Sequence, residues 1–253
     1  LKKIVSTIQE NRFEAHLLYG VTGSGKTEVY LQAIEKALSK DKGTIMLVPE
    51  IALTAQTIER FRSRFSQHIA ILHHRLSPGE RYDEWHRIHK GEALIVIGAR
   101  SAVFSPVKNL GLIIIDEEHE SSYKQTDESP CYHARDIAIM RAHLNKACAI
   151  LGSATPSLES YYNAEIGKYT LSSLHKRAGN SVELPTVHVV DMAVDDQKNK
   201  AFSTFSDKLL KAIESRISLG EQSIIFLNRR GYHSMQLCQS CQEIVKCQHC
   251  ALA

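Results

Sequence analysis

Gly20-Val21-Thr22-Gly23-Ser24-Gly25-Lys26-Thr27 is the stretch that decides how this chain is read. A glycine, four variable residues and Gly-Lys-Thr form the pattern of a phosphate-binding loop. The apolar run His16–Tyr19 precedes it, and Tyr30, Ile34, Ala37 and Leu38 follow at helical spacing. A strand, a glycine turn and a helix in that order let successive backbone N–H groups point inward at a dense negative charge. The positive end of the helix adds to the attraction. Lys26 would reach the β- and γ-phosphates of a nucleoside triphosphate, and the Thr27 hydroxyl would help ligate Mg²⁺. Gly20, Thr22, Gly23, Ser24 and Gly25 complete the candidate nucleotide-binding set.

Further along, Leu112-Ile113-Ile114-Ile115-Asp116-Glu117-Glu118-His119 is a run of branched apolar residues ending in three carboxylates and a histidine. Such a run reads as a strand buried on both faces of a parallel sheet. Asp116 is the candidate holder of the Mg²⁺ shell, and Glu117 the candidate to orient an attacking water. Three adjacent carboxylates can also be a solvated acidic turn, but four apolar residues leading straight into them argue otherwise. Lys26, Asp116 and Glu117 form the candidate catalytic set.

The remaining apolar runs fit the same plan. Ile45–Val48, Ile69–Leu72, Leu94–Ile97 and Ala149–Leu151 are expected strands. Ile51, Ala55, Ile58 and Phe65, and then Tyr82, Trp85 and Ile88, are expected helical stripes. Alternating strands and helices predict an α/β fold with a parallel sheet covered by helices on both faces. Ligands of such sheets sit at the carboxyl ends of the strands, where both the glycine loop and Asp116 fall. After Pro156 the rhythm changes. Residues 176–204 hold Gly179, Pro185 and the polar stretch Asp195–Lys200, and read as a linker around one short strand, Val187–Val190. Phe205–Leu219 is an expected helix and Ser223–Leu227 an expected strand of a second, unfinished domain.

The chain has 253 residues, 43% hydrophobic and 23% charged, which is ordinary for a globular protein. A net charge of +3, with 13 histidines besides, is mildly basic and compatible with nucleic acid without demonstrating it. No apolar run reaches the length of a membrane span, and the start does not read as a signal peptide. Residue 1 is Leu rather than Met, so the chain reads as a fragment or a processed piece. Of six cysteines, Cys131 and Cys148 stand alone, while Cys238, Cys241, Cys247 and Cys250 form two Cys-x-x-Cys pairs. A disulfide framework would spread its cysteines, so the distribution predicts a reducing cytoplasm and Zn²⁺ held by the four clustered thiolates.

Segments at 20–31 (GVTGSGKTEVYL), 48–56 (VPEIALTAQ), 98–106 (GARSAVFSP), 116–125 (DEEHESSYKQ), 132–138 (YHARDIA), 152–157 (GSATPS) and 226–232 (FLNRRGY) follow one another in the order found in superfamily 2 helicases. They resemble the bacterial primosomal replication-restart branch, whose carboxylate motif is a DEEH or DExH box. The resemblance runs from about residue 13 to the end of the chain. It implies a RecA-like helicase lobe 1 over 1–175, the linker at 176–204, the start of lobe 2 over 205–232, and part of a cysteine-rich zinc module over 233–253. It implies ATP and Mg²⁺ as cofactors and hydrolysis coupled to 3′-to-5′ translocation on forked or single-stranded DNA. Single-strand-binding protein and primosome components are the implied partners, and the bacterial cytoplasm the implied location.

Residue by residue, the resemblance assigns coupling of hydrolysis to movement to His119, Ser153 and Thr155. It assigns DNA contacts to Thr54, Arg100 and Ser101, and to an aromatic-rich loop carrying Tyr123, Lys124, Tyr132 and Arg135. Tyr123 and Tyr132 are suited to stack on bases, and Lys124 and Arg135 to meet phosphates. Cys131 departs from the pattern, standing where an arginine is expected. In the family the two cysteine pairs belong to two interleaved zinc sites, each completed by a later pair, so this chain would hold half of each site and bind zinc weakly or not at all. The arginines that meet the γ-phosphate belong to lobe 2, so slow or no turnover is expected of the chain alone. A non-catalytic nucleotide- and DNA-binding module is therefore an alternative reading. A phosphate-loop nucleotide kinase is a remote one, because a kinase needs an acceptor lid rather than a DEEH box followed by GSAT.

Overall fold

The computed structural model describes residues 1–49, 52, 54–65, 68–73, 76–126, 129–177, 186–192 and 204–226. The chain divides into two compact units, Leu1–Glu183 and Leu184–Ala253.

The first unit is built on strands β1 (Glu14–Gly20), β2 (Gly43–Leu47), β3 (Ile69–Leu72), β4 (Ile95–Gly98), β5 (Leu110–Asp116), β8 (Cys148–Ser153) and β9 (Thr170–Leu174). They form one seven-stranded sheet in the order β3-β4-β2-β5-β8-β1-β9, with every pairing parallel. A separate two-stranded antiparallel ribbon pairs β6 (Lys124–Gln125) with β7 (Tyr132–His133). Helix α1 (Lys2–Glu10) precedes β1. Parallel strands need crossovers, and α2 (Lys26–Leu38), α3 (Ala55–Phe65), α4 (Pro78–Lys90), α5 (Ala134–Leu144) and α6 (Leu158–Glu165) lie in them, while β4 and β5 are joined through a 3-10 turn at Arg100–Phe104.

Side-chain alternation along the strands splits the core into two layers. Leu112 and Ile114 face Ile4 and Ile8 of α1, Tyr30 and Ile34 of α2, and Phe61 and Phe65 of α3. Ile113 and Ile115 face Ile88 of α4 and the small side chains Ala134, Ala138 and Ala142 of α5. Leu112, Ile113, Ile114 and Ile115 are all 0% exposed. Burying each such side chain stabilises the fold by about 1.5–3 kcal/mol, which is why the central strands read from sequence as unbroken apolar runs.

Helix boundaries follow local chemistry. Ser77 and Glu80 form a reciprocal capping box around Pro78 at the start of α4, and Gly91 (φ 85°) ends it in the left-handed region. Ile88 is buried as expected, but Tyr82 and Trp85 of the same stripe are 65% and 42% exposed. The Tyr82 ring instead packs on His86 one turn on, with centroids 4.2 Å apart.

In the second unit the expected helix is present as α7 (Asp207–Ser218), capped by the Ser206 hydroxyl accepting from the Leu209 N–H. Two expected strands are not formed. Residues 187–190 and the described part of 223–227 carry no ladder, and Val189 and Ile224 are 94% and 100% exposed. A strand exists only through hydrogen bonds to a neighbour, and none of the described residues pairs with either segment. Among the described residues, no helix is long and apolar enough to cross a membrane.

Candidate functional site

β1 ends at Gly20, and the chain turns through Gly23 (φ 78°) and Gly25 (φ 92°) before α2 starts at Lys26. Both dihedrals lie in the left-handed region, which glycine enters without steric cost. Lys26 is 8% exposed, and its Nζ donates to the Gly20 carbonyl at 2.8 Å, so the ammonium is folded over the loop. Ser24 Oγ is buried with no hydrogen-bond partner among the described residues. A cationic head over a glycine turn, an unsatisfied hydroxyl and a helix N-terminus together fit an anionic phosphate. Thr27 and Asp116 both line a cavity of about 700 Å³ that also touches Met46, Val48 and Phe61. A hydroxyl and a carboxylate at one cavity are suitable oxygen donors for Mg²⁺.

Asp116 ends β5. Burial raises its carboxyl above the usual range, while a hydrogen bond from Tyr30 pulls the other way. That bond runs from the Tyr30 hydroxyl to Asp116 Oδ1 at 2.9 Å. The chain then turns at Glu117 in the left-handed region (φ 46°), uncommon for a residue with a side chain. Two backbone bonds hold the turn: the Glu118 N–H donates to Gly152 O at 3.1 Å and the Glu120 N–H to Glu117 O at 2.9 Å.

The turn sends its carboxylates to different places. Glu117 stays partly exposed, with Oε2 3.7 Å from His119 Nδ1. Glu118 points inward and is 1% exposed. His119 Nδ1 lies 2.8 Å from Ser153 Oγ, and Nε2 lies 3.4 Å from Thr155 Oγ1. Ser153 Oγ also accepts the Thr155 N–H at 2.9 Å. The structure thus brings the candidate coupling residues His119, Ser153 and Thr155 together beside Glu117.

The candidate DNA residues lie past the carboxyl ends of β2, β4 and β5, at the same sheet edge as the glycine loop. Thr54 Oγ1 accepts the Thr57 N–H at 3.2 Å and so caps α3, while remaining exposed. Ser101 and Lys124 are exposed. Arg100 Nη1 donates to the carbonyls of Lys124 at 3.0 Å and Ser122 at 3.4 Å, and its guanidinium carbon is 5.9 Å from the Tyr132 ring centroid. Tyr132 also meets Phe104 edge-on at 5.1 Å.

Two of these residues are corrected by the structure. Tyr123 is 1% exposed, with its hydroxyl on the Asp116 carbonyl at 2.6 Å, so its ring is a core side chain and cannot stack on a base. Arg135 is drawn in by Glu118: its Nη1 lies 3.2 Å from Glu118 Oε2 and 2.7 Å from Ser157 Oγ, which takes it away from a phosphate. Glu118, Tyr30, Gly152, Ser157 and Ser160 contact the candidate residues or support the same edge, and their sequence spacing does not single them out. The repeated carboxylates and the serines after GSAT were visible, but nothing in their spacing showed that they meet. Cys238, Cys241, Cys247 and Cys250 lie outside the described residues.

The DEAD/DEAH box helicase family matches residues 2–164. The chain is 50% identical over 250 residues to replication restart protein PriA of Chlamydia pneumoniae, covering 99% of this chain and 33% of that protein. Against PriA of Bacillus subtilis the identity is 50% over 250 residues, covering 99% and 31%, and against PriA of Haemophilus influenzae 48% over 238 residues, covering 94% and 32%. The chain therefore spans about a third of the length of the curated relatives it matches. Among solved structures it is similar to RecG bound to a three-way DNA junction, with a TM-score of 0.54 and 22% identity over 87% of this chain and 27% of that one. The DUF1998 helicase MrfA bound to DNA gives 0.50 and 18% over 70% and 25%. At these identities the two structures show the shared RecA-like fold alone. The family match takes in the glycine loop, the carboxylate turn and the helices on both faces of the sheet: this chain belongs to the DEAD/DEAH box helicases.

Proposed function

We propose that this chain is the ATP·Mg²⁺-binding lobe of a replication-restart DNA helicase, in which hydrolysis drives 3′-to-5′ translocation and unwinding. One observation carries the reading. The glycine loop with Lys26, the Asp116–Glu117 turn and the His119–Ser153–Thr155 cluster converge on one edge of the parallel sheet. Lys26 and the loop N–H groups would hold the phosphates, and Thr27 and Asp116 the metal shell. Mg²⁺ bound there neutralises developing phosphate charge. Glu117 would orient the water, and His119 would pass the state of that carboxylate to Ser153 and Thr155.

DNA is the proposed second ligand, met at Thr54, Ser101, Lys124 and Tyr132, with Arg100 acting through the segment that it braces. Single-strand-binding protein and primosome components are the proposed partners, and the bacterial cytoplasm the proposed location, in keeping with relatives that are replication restart proteins. For Cys238, Cys241, Cys247 and Cys250 the proposal remains half of each of two zinc sites.

Steady-state ATP hydrolysis with Mg²⁺, with and without single-stranded DNA, tests the proposal. Lys26→Ala is expected to abolish nucleotide binding; unchanged affinity in that variant would sink the site assignment. Because an arginine from a second lobe is worth roughly 10³–10⁵ in turnover, binding with little turnover is the behaviour proposed for this stretch alone. DNA-stimulated turnover that Lys26→Ala removes would show the lobe to be self-sufficient. It would also retire the alternative of a purely binding module.

A further inference from the structure

Tyr30 stands on α2 one turn after Lys26, on the face turned to the sheet, and is 0% exposed. Phenylalanine would fill that apolar layer equally well. A buried hydroxyl costs free energy unless it finds a partner, and here the partner is Oδ1 of Asp116 at 2.9 Å.

The opposite wall is shaped for the same hydroxyl. Gly152 of β8 sits beside Asp116 in the strand register. A Cβ added at Gly152 would lie 1.6 Å from the Tyr30 oxygen and 2.8 Å from the ring carbon that bears it. Glycine at 152 thus leaves the space in which Tyr30 reaches the carboxylate. The two ends of this contact belong to the helix that starts at the phosphate loop and the strand that ends at the metal-ligand candidate.

We propose that Tyr30 is a positioning residue for the Mg²⁺ site. By donating to Oδ1 it fixes the Asp116 carboxylate and leaves the second oxygen for the metal shell at the cavity shared with Thr27. Groups that orient a metal ligand in this way typically change metal affinity 10–100-fold when removed. The inference rests on the nucleotide-site reading above.

The test compares wild type, Tyr30→Phe and Lys26→Ala, titrating a fluorescent ATP analogue in EDTA and across a Mg²⁺ series, with thermal melting in parallel. Tyr30→Phe is expected to bind nucleotide in EDTA as wild type does, yet to need about 10-fold more Mg²⁺ for half of the magnesium-dependent gain. Equal weakening with and without Mg²⁺, or an unchanged Mg²⁺ response, overturns the inference. If Lys26→Ala has meanwhile lost binding, the nucleotide site itself still stands. If Lys26→Ala binds like wild type, the nucleotide reading fails and takes this inference with it. Gly152→Ala is the second variant, crowding the hydroxyl off its carboxylate while keeping the phenol. It is expected to raise the Mg²⁺ requirement in the same direction, and a wild-type response in it also overturns the inference.

Discussion

Oε1 of Glu118 accepts the Ser157 N–H at 2.7 Å, while Oε2 accepts the hydroxyls of Ser157 at 3.0 Å and Ser160 at 2.7 Å and meets Arg135 Nη1 at 3.2 Å. The side chains of Glu118 and Arg135 are 0% and 11% exposed. A carboxylate survives such burial only because each oxygen is paired. Its partners begin α5 and α6, so one side chain ties the carboxylate turn to two helix starts. Glu118→Ala takes the buried acceptor from three donors, the Ser157 N–H and the hydroxyls of Ser157 and Ser160, and leaves Arg135 with the exposed Asp136 as its ion-pair partner. We expect a loss of about 3–5 kcal/mol, the range for breaking a buried ion pair. Glu118→Gln retains some of the hydrogen bonds and should lose less. Denaturant unfolding of the two variants checks the order, and equal stability of Glu118→Ala and wild type would refute it. From sequence, Glu118 was only one of three adjacent acids. Direction could not be read there, because the left-handed Glu117 decides which carboxylate turns inward. The same blindness put Tyr123 and Arg135 on a DNA surface, since aromatic and basic residues after a strand look alike whether they face water or the core.

At the scale of elements, what was legible is what is buried on both sides. β2 through β5 and β8 read as apolar runs because each faces helices on two sides. β9 was not foreseen: Thr-Leu-Ser-Ser-Leu is an edge strand with only one neighbour, and its residues are intermediate or exposed. Helix α1 was missed too, although Ile4, Thr7 and Ile8 all face inward. Its polar anchor is unusual. Thr7 Oγ1 lies 2.9 Å from Glu14 Oε2 and 3.1 Å from Nε2 of His16, a fully buried residue of β1. A neutral ring donating to Thr7, with Thr7 donating to Glu14, satisfies both contacts. Burial lowers the His16 pKa from 6.5 to about 4, against the attraction of Glu14; Arg12 and Lys3 also disfavour the charge. Since the native pKa lies below the unfolded one, the unfolded chain takes up the proton first. Stability therefore falls as pH drops from 6.5 towards 4, by roughly 2–3 kcal/mol, and this contribution levels off below that. His16→Gln removes the group that titrates. Denaturant midpoints measured from pH 7 to 4.5 should fall less steeply for the variant, and parallel curves would contradict the assignment.

For the molecule as a whole, a parallel sheet gathers every strand's carboxyl end on one edge, and that geometry places the nucleotide candidates and the DNA candidates side by side. Charge bulk says little here, because a net +3 spread over 253 residues makes no basic face by itself. What distinguishes the edge is the division of labour between two cations. Nη1 of Arg100 donates to the Ser122 and Lys124 carbonyls, so it braces the aromatic-rich segment. Lys124, exposed on that segment, is the candidate cation for a phosphate. Neutralising one phosphate of a single strand releases counterion, and each such contact contributes about 0.7 to the slope of log K against log salt. Lys124→Ala is expected to weaken binding of a single-stranded oligonucleotide and to flatten that slope by about 0.7. Arg100→Ala should instead disturb the segment that Lys124 sits on, weakening binding by more than one lost phosphate contact explains. Fluorescence anisotropy over a salt series reads both quantities from one titration. A Lys124→Ala protein with the wild-type slope would place the DNA path elsewhere on the edge. An Arg100→Ala protein that loses only one contact's slope would make Arg100 a phosphate ligand rather than a brace.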